Sequence, residues 1–349
     1  MKMPSEPNSL LTQAGPAGSA RQLTYETLNA YQRTAALKAA IELDLFTAIG
    51  EGTNTARSLA KCRQATERGV RILCDFLAAI EILTKQDEQY SLTEESARLL
   101  DRRSPACIAS AAGFLTLPEV VDSFKDLAGV VRNGLPDMAG EGTVEPENPI
   151  WVDFARSMGT LQAPTAETMA AVLNSGAGEG WKVLDIAAGH GVYGIAVARH
   201  NPNAEIFALD WPAVLDVARE NARHAGVEAR YHSIPGSAFE VDFGSGYDLI
   251  LLTGFLHHFG PEVIGTLLRK LRGALAQNGR VATVEFVPNE DRVTPPDTAT
   301  WTINMLAMTR SGDAYTFAEY RRMFRSAGFR SNELVRLPAN PQSVILSRE

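Results

Sequence analysis

Cysteine is scarce in this sequence. Three of its 349 residues are cysteines, Cys62, Cys74 and Cys107, and no two of them form a Cys-x-x-Cys pair. The number and spacing of the cysteines therefore suggest neither a disulfide scaffold nor a cysteine zinc site. A chain that depends on no disulfide is typical of a reducing compartment, so we expect a cytoplasmic protein.

Long apolar runs and basic blocks are also missing. No stretch of about 18 apolar residues is free of charges and helix breakers, so no transmembrane helix is expected. The N-terminus lacks the charged start and apolar core of a signal peptide. The 33 basic and 41 acidic residues leave a net charge of −8, which disfavours binding to nucleic acid or anionic lipid. We therefore expect neither nucleic acid nor a membrane among the partners.

The composition is that of a globular chain, with 45% hydrophobic and 21% charged residues, and the length suits about two domains. Residues 1–20 contain many glycines and prolines and are predicted to form a mobile arm. Apolar side chains at four-residue spacing predict a helix over 22–49, ended by glycines. The apolar residues are Leu37, Ile41, Leu45 and Ile49, and the glycines are Gly50 and Gly52.

The remainder of the first third has the order of a winged-helix domain. A short helix is predicted over 55–60 and a longer one opens at Thr66. The longer helix has one apolar face, formed by Val70, Leu73, Phe76, Leu77, Ile80 and Leu83. Two short strands, 83–85 and 89–92, flank a polar turn and predict a hairpin. Helices followed by a hairpin indicate a winged-helix domain over 21–105.

The second half changes character. Residues 106–175 are predicted to form a helical connector, interrupted by a Gly- and Pro-rich excursion at 133–149. From residue 176, short apolar runs alternate with helical stretches. The runs lie at 182–186, 205–210, 248–252 and 280–285. This alternation predicts an α/β domain over 176–349 with a doubly wound, mostly parallel sheet.

A glycine-rich loop follows the first predicted strand. Gly189 and Gly191 allow a sharp turn and close approach to a ligand, while Gly194 falls within the next helix. The loop lacks the Lys-Ser/Thr pair of a phosphate-binding P-loop. Asp210, at the end of the second strand, can bond both hydroxyls of a ribose, and Asp185 on the first strand suits an ammonium group. The ligand is therefore interpreted as an adenosine that carries an amino acid.

Three blocks together resemble the class I S-adenosylmethionine-dependent methyltransferases, and among them the plant and bacterial small-molecule O-methyltransferases. The blocks are 36–46 with 90–93, the cofactor segment 185–210, and 255–259 with 267–271. The resemblance covers about residues 25–349. It implies a Rossmann-like fold, S-adenosylmethionine as cofactor with S-adenosylhomocysteine as product, no metal, and a homodimer formed through the N-terminal domain. The apolar helices 35–49 and 70–83 are also more than one such domain needs for its own core.

The resemblance implies His257 as general base and Glu285 as the carboxylate beside it. His258 and Phe259 stand where the family usually has Asp and Trp, and Ala314 replaces a second glutamate. Because successive residues of a helix do not share a face, we expect one of the two histidines to face the site and the other to pack elsewhere.

The same resemblance implies two sets of binding residues. For the cofactor they are Asp185, Gly189, Gly191, Asp210, Trp211, Gly236, Ser237, Ala238, Phe239 and Thr253. For the acceptor they are Phe154, Met158, Trp301, Asn304, Met305 and Met308. On spacing alone, a stripe of core residues is the favoured interpretation of the last four. For His190 two interpretations fit equally well: it contacts the amino acid end of the cofactor, or it is an ordinary polar residue of the loop. The excursion at 133–149 is expected to cover the acceptor pocket.

The expected function is methyl transfer to a hydroxyl of a small aromatic or apolar metabolite. One alternative is methylation of carbon or sulfur that depends mainly on positioning. Another is a ligand-responsive regulator that binds DNA through the winged helix, with a basic cluster as its contact. The cluster contains Arg57, Lys61, Arg63, Arg68 and Arg71, but five cations in an acidic chain are typical of an ordinary solvated face.

Overall fold

The computed structural model describes residues 16–136, 142–173, 178–338 and 340–349. The chain divides into two compact units, Met1–Ala109 and Ser110–Glu349. The first fifteen residues of the predicted arm lie outside the described residues, and residues 16–20 belong to a helix. No helix in the described ranges has the length and apolar character needed to cross a membrane.

The first unit contains six helices among its described residues, with a hairpin before the last of them. The helices are α1 (Pro16–Leu28), α2 (Ala30–Glu42), α3 (Leu45–Gly50), α4 (Ala56–Cys62), α5 (Glu67–Ala79) and α6 (Glu94–Leu99). The hairpin pairs β1 (Leu83–Gln86) with β2 (Gln89–Leu92) in antiparallel register. Helix, helix and hairpin follow one another where the sequence predicts them.

The single helix predicted over 22–49 is wrong, because the structure breaks it twice. One break lies at Asn29 and the other at Asp44, whose φ of 49° is left-handed. Arg63 stabilises the second break, since its guanidinium donates to both the carboxylate and the carbonyl oxygen of Asp44 at 2.8 Å. Gly50 is the last residue of α3, and Gly52 follows with a φ of 92°.

The hairpin is held against α5 by a polar contact. Tyr90 is almost fully buried, and its hydroxyl donates to Asp75 Oδ1 at 2.7 Å. Lys85 Nζ donates to the same oxygen at 2.7 Å. The threonines before α4 and α5 cap these helices, because Thr55 and Thr66 each accept from a backbone N–H three residues ahead.

The second unit begins with helices and continues into a sheet. The first helices are α7 (Ala111–Leu115), α8 (Pro118–Asp122), α9 (Leu127–Asn133) and α10 (Ile150–Val172), with a short 3₁₀ turn at Gly142–Val144. The strands are β3 (Lys182–Ile186), β4 (Glu205–Asp210), β5 (Tyr231–Pro235), β6 (Tyr247–Thr253), β7 (Leu275–Phe286), β8 (Ser331–Arg336) and β9 (Gln342–Arg348). The remaining helices are α11 (Val192–His200), α12 (Pro212–His224), α13 (Pro261–Ala274), α14 (Pro296–Ala299), α15 (Trp301–Met308) and α16 (Phe317–Ser326).

The seven strands have the order β5-β4-β3-β6-β7-β9-β8. The first five in this order are parallel, and β9 pairs antiparallel with both β7 and β8. The sheet is therefore mostly parallel, as predicted. The strand order reverses at β3, and a crevice at this switch point is where open α/β sheets bind ligands.

Alternate residues of the central strands pack into two apolar layers, one on each face of the sheet. On β6, Leu249 and Leu251 pack with one cluster while Ile250 and Leu252 pack with the other. Because successive side chains of a strand point to opposite faces, the sheet is covered on both sides. This double burial explains why the central strands are continuous apolar runs in the sequence.

Candidate functional site

A cavity of about 350 Å³ opens where the parallel strands end. Its wall includes the segments that follow β3, β4 and β6, together with residues of α10 and α15. Among the predicted binding and catalytic residues, those that line it are Phe154, Gly189, Asp210, Trp211, Gly236, Ser237, Ala238, Phe239, Thr253, His257, Trp301, Asn304, Met305 and Met308. All of them belong to the second unit.

The glycine loop curves around the carboxylate of Asp210. Gly189, with a φ of 57°, donates its N–H to Asp210 Oδ2 at 2.8 Å, and Trp211 donates its own to Oδ1 at 2.7 Å. These bonds fix the carboxylate in the cavity wall. Burial raises the pKa of Asp210 to about 6. Each oxygen keeps a lone pair for a hydroxyl donor on a ligand.

Asp185 does not line the cavity, which corrects its predicted contact with the ligand. The side chain is fully buried beneath the loop, because its position on β3 points it toward α11. Its Oδ2 accepts the N–H of Gly194 at 3.1 Å, whereas Oδ1 has no partner in the described part of the chain. Burial raises its pKa to about 7, and the nearby charge of Asp210 adds to this.

Two other predicted contacts also lie outside the cavity wall. Gly191 precedes α11 with a φ of 76°, and a Cβ there would lie 2.6 Å from the hydroxyl of Tyr231. Its role is close packing beneath the loop. Met158 is buried one helical turn after Phe154 on α10, and only Phe154 reaches the cavity.

The turn after β5 forms another part of the wall and is rigidly held. Gly236 donates its N–H to the carbonyl of Asp210 at 2.9 Å, and Ser237 Oγ accepts the N–H of Phe239 at 3.2 Å. Lys270 Nζ donates to three carbonyl oxygens of this turn, those of Ala238, Phe239 and Val241. The turn is therefore shaped before any ligand binds.

His257 and Glu285 form a buried pair. His257 lies on a 3₁₀ turn after β6, Leu256–His258, and Glu285 lies near the end of β7. His257 Nδ1 is 2.5 Å from Glu285 Oε2. Because an ionised carboxylate only accepts hydrogen bonds, Nδ1 carries the proton and Nε2 keeps a free lone pair.

The other oxygen of Glu285 holds the turn itself. Oε1 accepts the backbone N–H groups of Phe255, Leu256 and His257, at 3.1, 2.9 and 3.4 Å. Glu285 is fully buried behind the imidazole and does not line the cavity. Alanine occupies position 314, where the resemblance places a second glutamate, and it is fully buried. Because alanine has no carboxylate, Glu285 orients the ring without a second carboxylate from that position.

Both histidines line the cavity, which corrects the expectation that only one of them faces it. Their ring centroids are 4.3 Å apart. The reason is that they sit on a single 3₁₀ turn at the rim of the cavity rather than on a long helix packed on one side. Burial lowers the pKa of His258 well below its usual value, and the neighbouring His257 lowers it further.

The wall beside the histidines is aromatic and apolar, since Trp301 stands edge-on to His257 with ring centroids 5.5 Å apart. Trp301 stacks on Phe286 with ring centroids 4.4 Å apart. Residues 137–141 of the excursion at 133–149 lie outside the described residues, but Thr143 contributes to the wall. Its hydroxyl donates to the carbonyl of Met308 at 3.2 Å, and its carbonyl accepts the indole N–H of Trp151 at 2.7 Å. The first bond ties the excursion to α15 and the second ties it to α10.

Several lining residues are absent from the sequence-based prediction. They are Phe114, Trp151, Gln162, Tyr193, His258, Phe286 and Gln342. A signal existed for Trp151, since it precedes Phe154 by three residues and shares its helix face. His190 lines the cavity too, with its ring parallel to Phe154 at 5.5 Å. Burial lowers the pKa of His190 to about 4, so the ring is neutral.

No group of three or more His, Cys, Asp or Glu side chains within the described ranges is arranged to hold a metal ion.

Comparison with known proteins places the cavity in context. Residues 155–330 match the model of the O-methyltransferase domain, and residues 25–102 match the O-methyltransferase dimerisation domain. The 3-hydroxy-5-methyl-1-naphthoate 3-O-methyltransferase of Streptomyces sahachiroi is 28% identical over 85% of this chain and 86% of its own.

Two solved structures extend the likeness to the whole chain. A Nostoc punctiforme protein described as an O-methyltransferase has a TM-score of 0.90 and 50% identity, over 97% of this chain and 100% of its own. PigF with S-adenosylhomocysteine has a TM-score of 0.83 and 25% identity, over 94% of this chain and 99% of its own.

Proposed function

This chain belongs to the family of S-adenosylmethionine-dependent O-methyltransferases, and we propose that it methylates a hydroxyl group on a small aromatic metabolite with His257 as general base. The observation that supports this most is the buried His257–Glu285 pair, because the His257 ring also lines an aromatic cavity. The relative from Streptomyces sahachiroi, which by its name methylates a hydroxynaphthoate, supports the substrate class.

The residues of the cavity fit S-adenosylmethionine. The Asp210 carboxylate is held at the strand end with lone pairs available for ribose hydroxyls. The described wall contains Asp210 and Glu240 but no lysine or arginine, so its charge suits a cation. We assign the cofactor to the glycine loop, to Asp210 and Trp211, to the turn 236–239 and to Thr253.

The mechanism follows from the polar groups of the cavity. When bound, S-adenosylmethionine supplies an electrophilic methyl group attached to a sulfonium. His257 Nε2 accepts the proton of the acceptor hydroxyl, and Glu285 stabilises the resulting imidazolium through Nδ1. The aromatic and apolar wall of Phe154, Trp301 and Met305 orients a flat acceptor and excludes water. A base in this position contributes about 10²–10⁴-fold to the rate.

Replacement of His257 by Gln tests the base. We expect kcat to fall by about 10²–10⁴-fold, because Gln cannot take up a proton. The measurement uses labelled cofactor with a panel of phenols, thiols and carbon nucleophiles, followed by identification of the methylated atom. Affinity for S-adenosylhomocysteine, measured by calorimetry, should not change.

His224→Gln is the matched control, since His224 is exposed at the end of α12, and it should leave the rate unchanged. A full rate in the His257 variant would refute base catalysis and leave positioning as the mechanism. A product methylated on carbon or sulfur would refute the hydroxyl acceptor.

We also propose a homodimer formed through the first unit, supported by its match to the dimerisation domain. The helices 35–49 and 70–83, from which the sequence predicts this contact, are largely used by the unit's own core. Exposed large apolar side chains lie instead on α1 and α2, at Leu23, Tyr25, Leu28 and Tyr31. The cytoplasmic location, the lack of a metal and the lack of nucleic-acid and membrane partners stay predictions from the sequence.

A further inference from the structure

Gln342, the first residue of β9, carries an amide that the described part of the fold does not use. The residue is only 5% exposed, and it lines the cavity. Its side-chain amide has no hydrogen-bond partner among the described residues, yet neither polar atom is one of those enclosed without a partner. The amide is therefore open to the cavity. Because buried polar groups are nearly always hydrogen-bonded to protein, water or ligand, we expect its partner to come from what the cavity binds.

The position of Gln342 is held by neighbouring residues. Its backbone N–H is donated to Asn340 Oδ1 at 2.9 Å, and Asn340 Nδ2 donates to Thr165 Oγ1 on α10 at 2.7 Å. Phe286 of β7 is its direct partner in the sheet, and opposed residues of an antiparallel pair present their side chains on the same face. Phe286 also lines the cavity, so the amide stands beside an aromatic ring of the wall.

Gln342 lies on the acceptor side of the cavity. The residues assigned to the cofactor follow β3, β4, β5 and β6, and β9 is separated from the nearest of these, β6, by β7. That separation is about 10 Å at the usual distance between strands. Phe286 leads toward the base instead, since its ring stacks on Trp301 at 4.4 Å and Trp301 stands edge-on to His257 at 5.5 Å. An acceptor with its hydroxyl at His257 can thus extend along these rings toward Gln342.

The charge of the cavity favours a neutral group at this amide. The described wall contains Asp210 and Glu240 but no lysine or arginine, and Glu285 is buried next to Phe286 in the chain. A carboxylate on the acceptor would be desolvated near these acids without a counter-charge. The amide of Gln342 supplies two N–H donors and one acceptor oxygen, which match a neutral carbonyl group or carboxamide.

We propose that Gln342 is a specificity residue that hydrogen-bonds a neutral carbonyl group of the acceptor, at the end away from the methylated hydroxyl. The substrate class is a hydroxylated aromatic compound with an uncharged carbonyl substituent, such as a carboxamide, rather than a carboxylate. In this respect the chain should differ from the relative of Streptomyces sahachiroi, whose name gives a naphthoate as its substrate. This role of Gln342 rests on the proposed function, because His257 must hold the reacting hydroxyl.

The test uses three naphthols: one without a further substituent, one with a carboxamide on the other ring, and the matching carboxylate. Calorimetry measures their binding to the full chain saturated with S-adenosylhomocysteine. We expect the wild type to bind the carboxamide about tenfold more tightly than the unsubstituted naphthol, the effect of about one net hydrogen bond. It should bind the carboxylate at least about tenfold more weakly than the unsubstituted naphthol.

Two variants of Gln342 separate the hydrogen bond from the charge. Gln342→Leu removes the polar atoms and should abolish the advantage of the carboxamide without weakening the unsubstituted naphthol. Gln342→Lys supplies the missing counter-charge and should bind the carboxylate more tightly than the carboxamide. Ser343→Ala is the matched control, because the next residue of β9 points to the opposite face of the sheet, and it should keep the preference of the wild type.

Equal binding of the carboxamide and the unsubstituted naphthol by the wild type would overturn the role of Gln342 without any variant. A weaker affinity of Gln342→Leu for S-adenosylhomocysteine would also overturn it, since that indicates a contact with the cofactor. Incubation of the wild type and the naphthols with labelled S-adenosylmethionine reports on the proposed function separately. Methylation without a preference in binding supports that function and overturns the role of Gln342, whereas preference without methylation does the reverse.

Discussion

Two fully buried carboxylates on β3 and β7, which are separated in the sheet by β6, have opposite environments. Glu285 is within hydrogen-bonding distance of three backbone N–H groups and of the imidazole of His257. Asp185 accepts one backbone N–H and keeps an unpartnered oxygen. Burial of a carboxylate with so little compensation disfavours its ionised form. The glycine-rich loop thus lies over Asp185, and this buried side chain lowers the stability of the fold when it is ionised.

Asp185 should make the stability of the ligand-free protein depend on pH. Its pKa is about 7 in the folded chain against an ordinary value of 3.8. The group therefore contributes most to stability below about pH 4, and this contribution is lost as the pH rises to about 7. Asp185→Asn does not titrate and keeps an acceptor for Gly194. We expect the variant to gain up to ~4 kcal/mol relative to the wild type over this interval, measured by urea unfolding.

Parallel pH profiles for the two proteins would show that Asp185 does not titrate in this range. A gain confined to low pH would reverse the sign and refute the burial effect.

At the scale of elements, α11 packs unusually close to β3 and β4 beneath the glycine-rich loop. Gly194 is the third residue of α11. A Cβ there would be 2.8 Å from both Asp185 Oδ2 and Ile206 Cγ2. Both neighbours are fully buried on β3 and β4, so neither can move freely. The glycine thus sets the distance between helix and sheet, which is the role of the third glycine in dinucleotide-binding loops.

Gly194→Ala should therefore destabilise the protein, by about 1–3 kcal/mol, although alanine normally favours a helix. The matched control is Gly273→Ala in α13, where an added Cβ meets nothing within 4 Å. That variant should be neutral or gain up to ~1 kcal/mol. Urea unfolding of both variants decides the matter, and equal effects would contradict a steric role for Gly194.

Several strands were predictable from the sequence because both of their faces are buried. The central strands β3, β4, β6 and β7 are apolar runs, so they stand out. The edge strands β5 and β8 do not, because about half or more of their residues reach solvent. The sequence predicts His257 and Glu285 as neighbours through family resemblance. It does not reveal that His258 lines the same cavity as His257, because that depends on the 3₁₀ geometry of a three-residue turn.

At the scale of the whole molecule, four large apolar side chains that lie close together in the sequence are exposed near the start of the described chain. Leu23, Tyr25, Leu28 and Tyr31 are 65–71% exposed. Large apolar side chains left exposed on a folded chain are candidates for a protein–protein contact. In a symmetric dimer the same patch serves both copies, so each substitution acts twice.

The double variant Leu28→Glu, Tyr31→Glu should weaken the proposed dimer by at least about a hundredfold, because it places four charges in the apolar contact. Light scattering at micromolar concentration should give a mass of twice 37.8 kDa for the wild type and a lower mass for the variant. Val131→Glu, at an equally exposed apolar residue of the second unit, is the control and should not change the mass. A monomeric wild type would refute the dimer.

The shared use of Glu285 has a consequence for how the active site can evolve. The carboxylate holds both the turn 255–257 and the imidazole, so the two residues of the pair are not equally replaceable. A chain that loses His257 keeps its turn and can acquire a different chemistry in the same cavity. A chain that loses Glu285 first loses, in one step, the bonds that hold the turn and the imidazole. New reactions on this scaffold can therefore arise by replacement of His257 but not by replacement of Glu285.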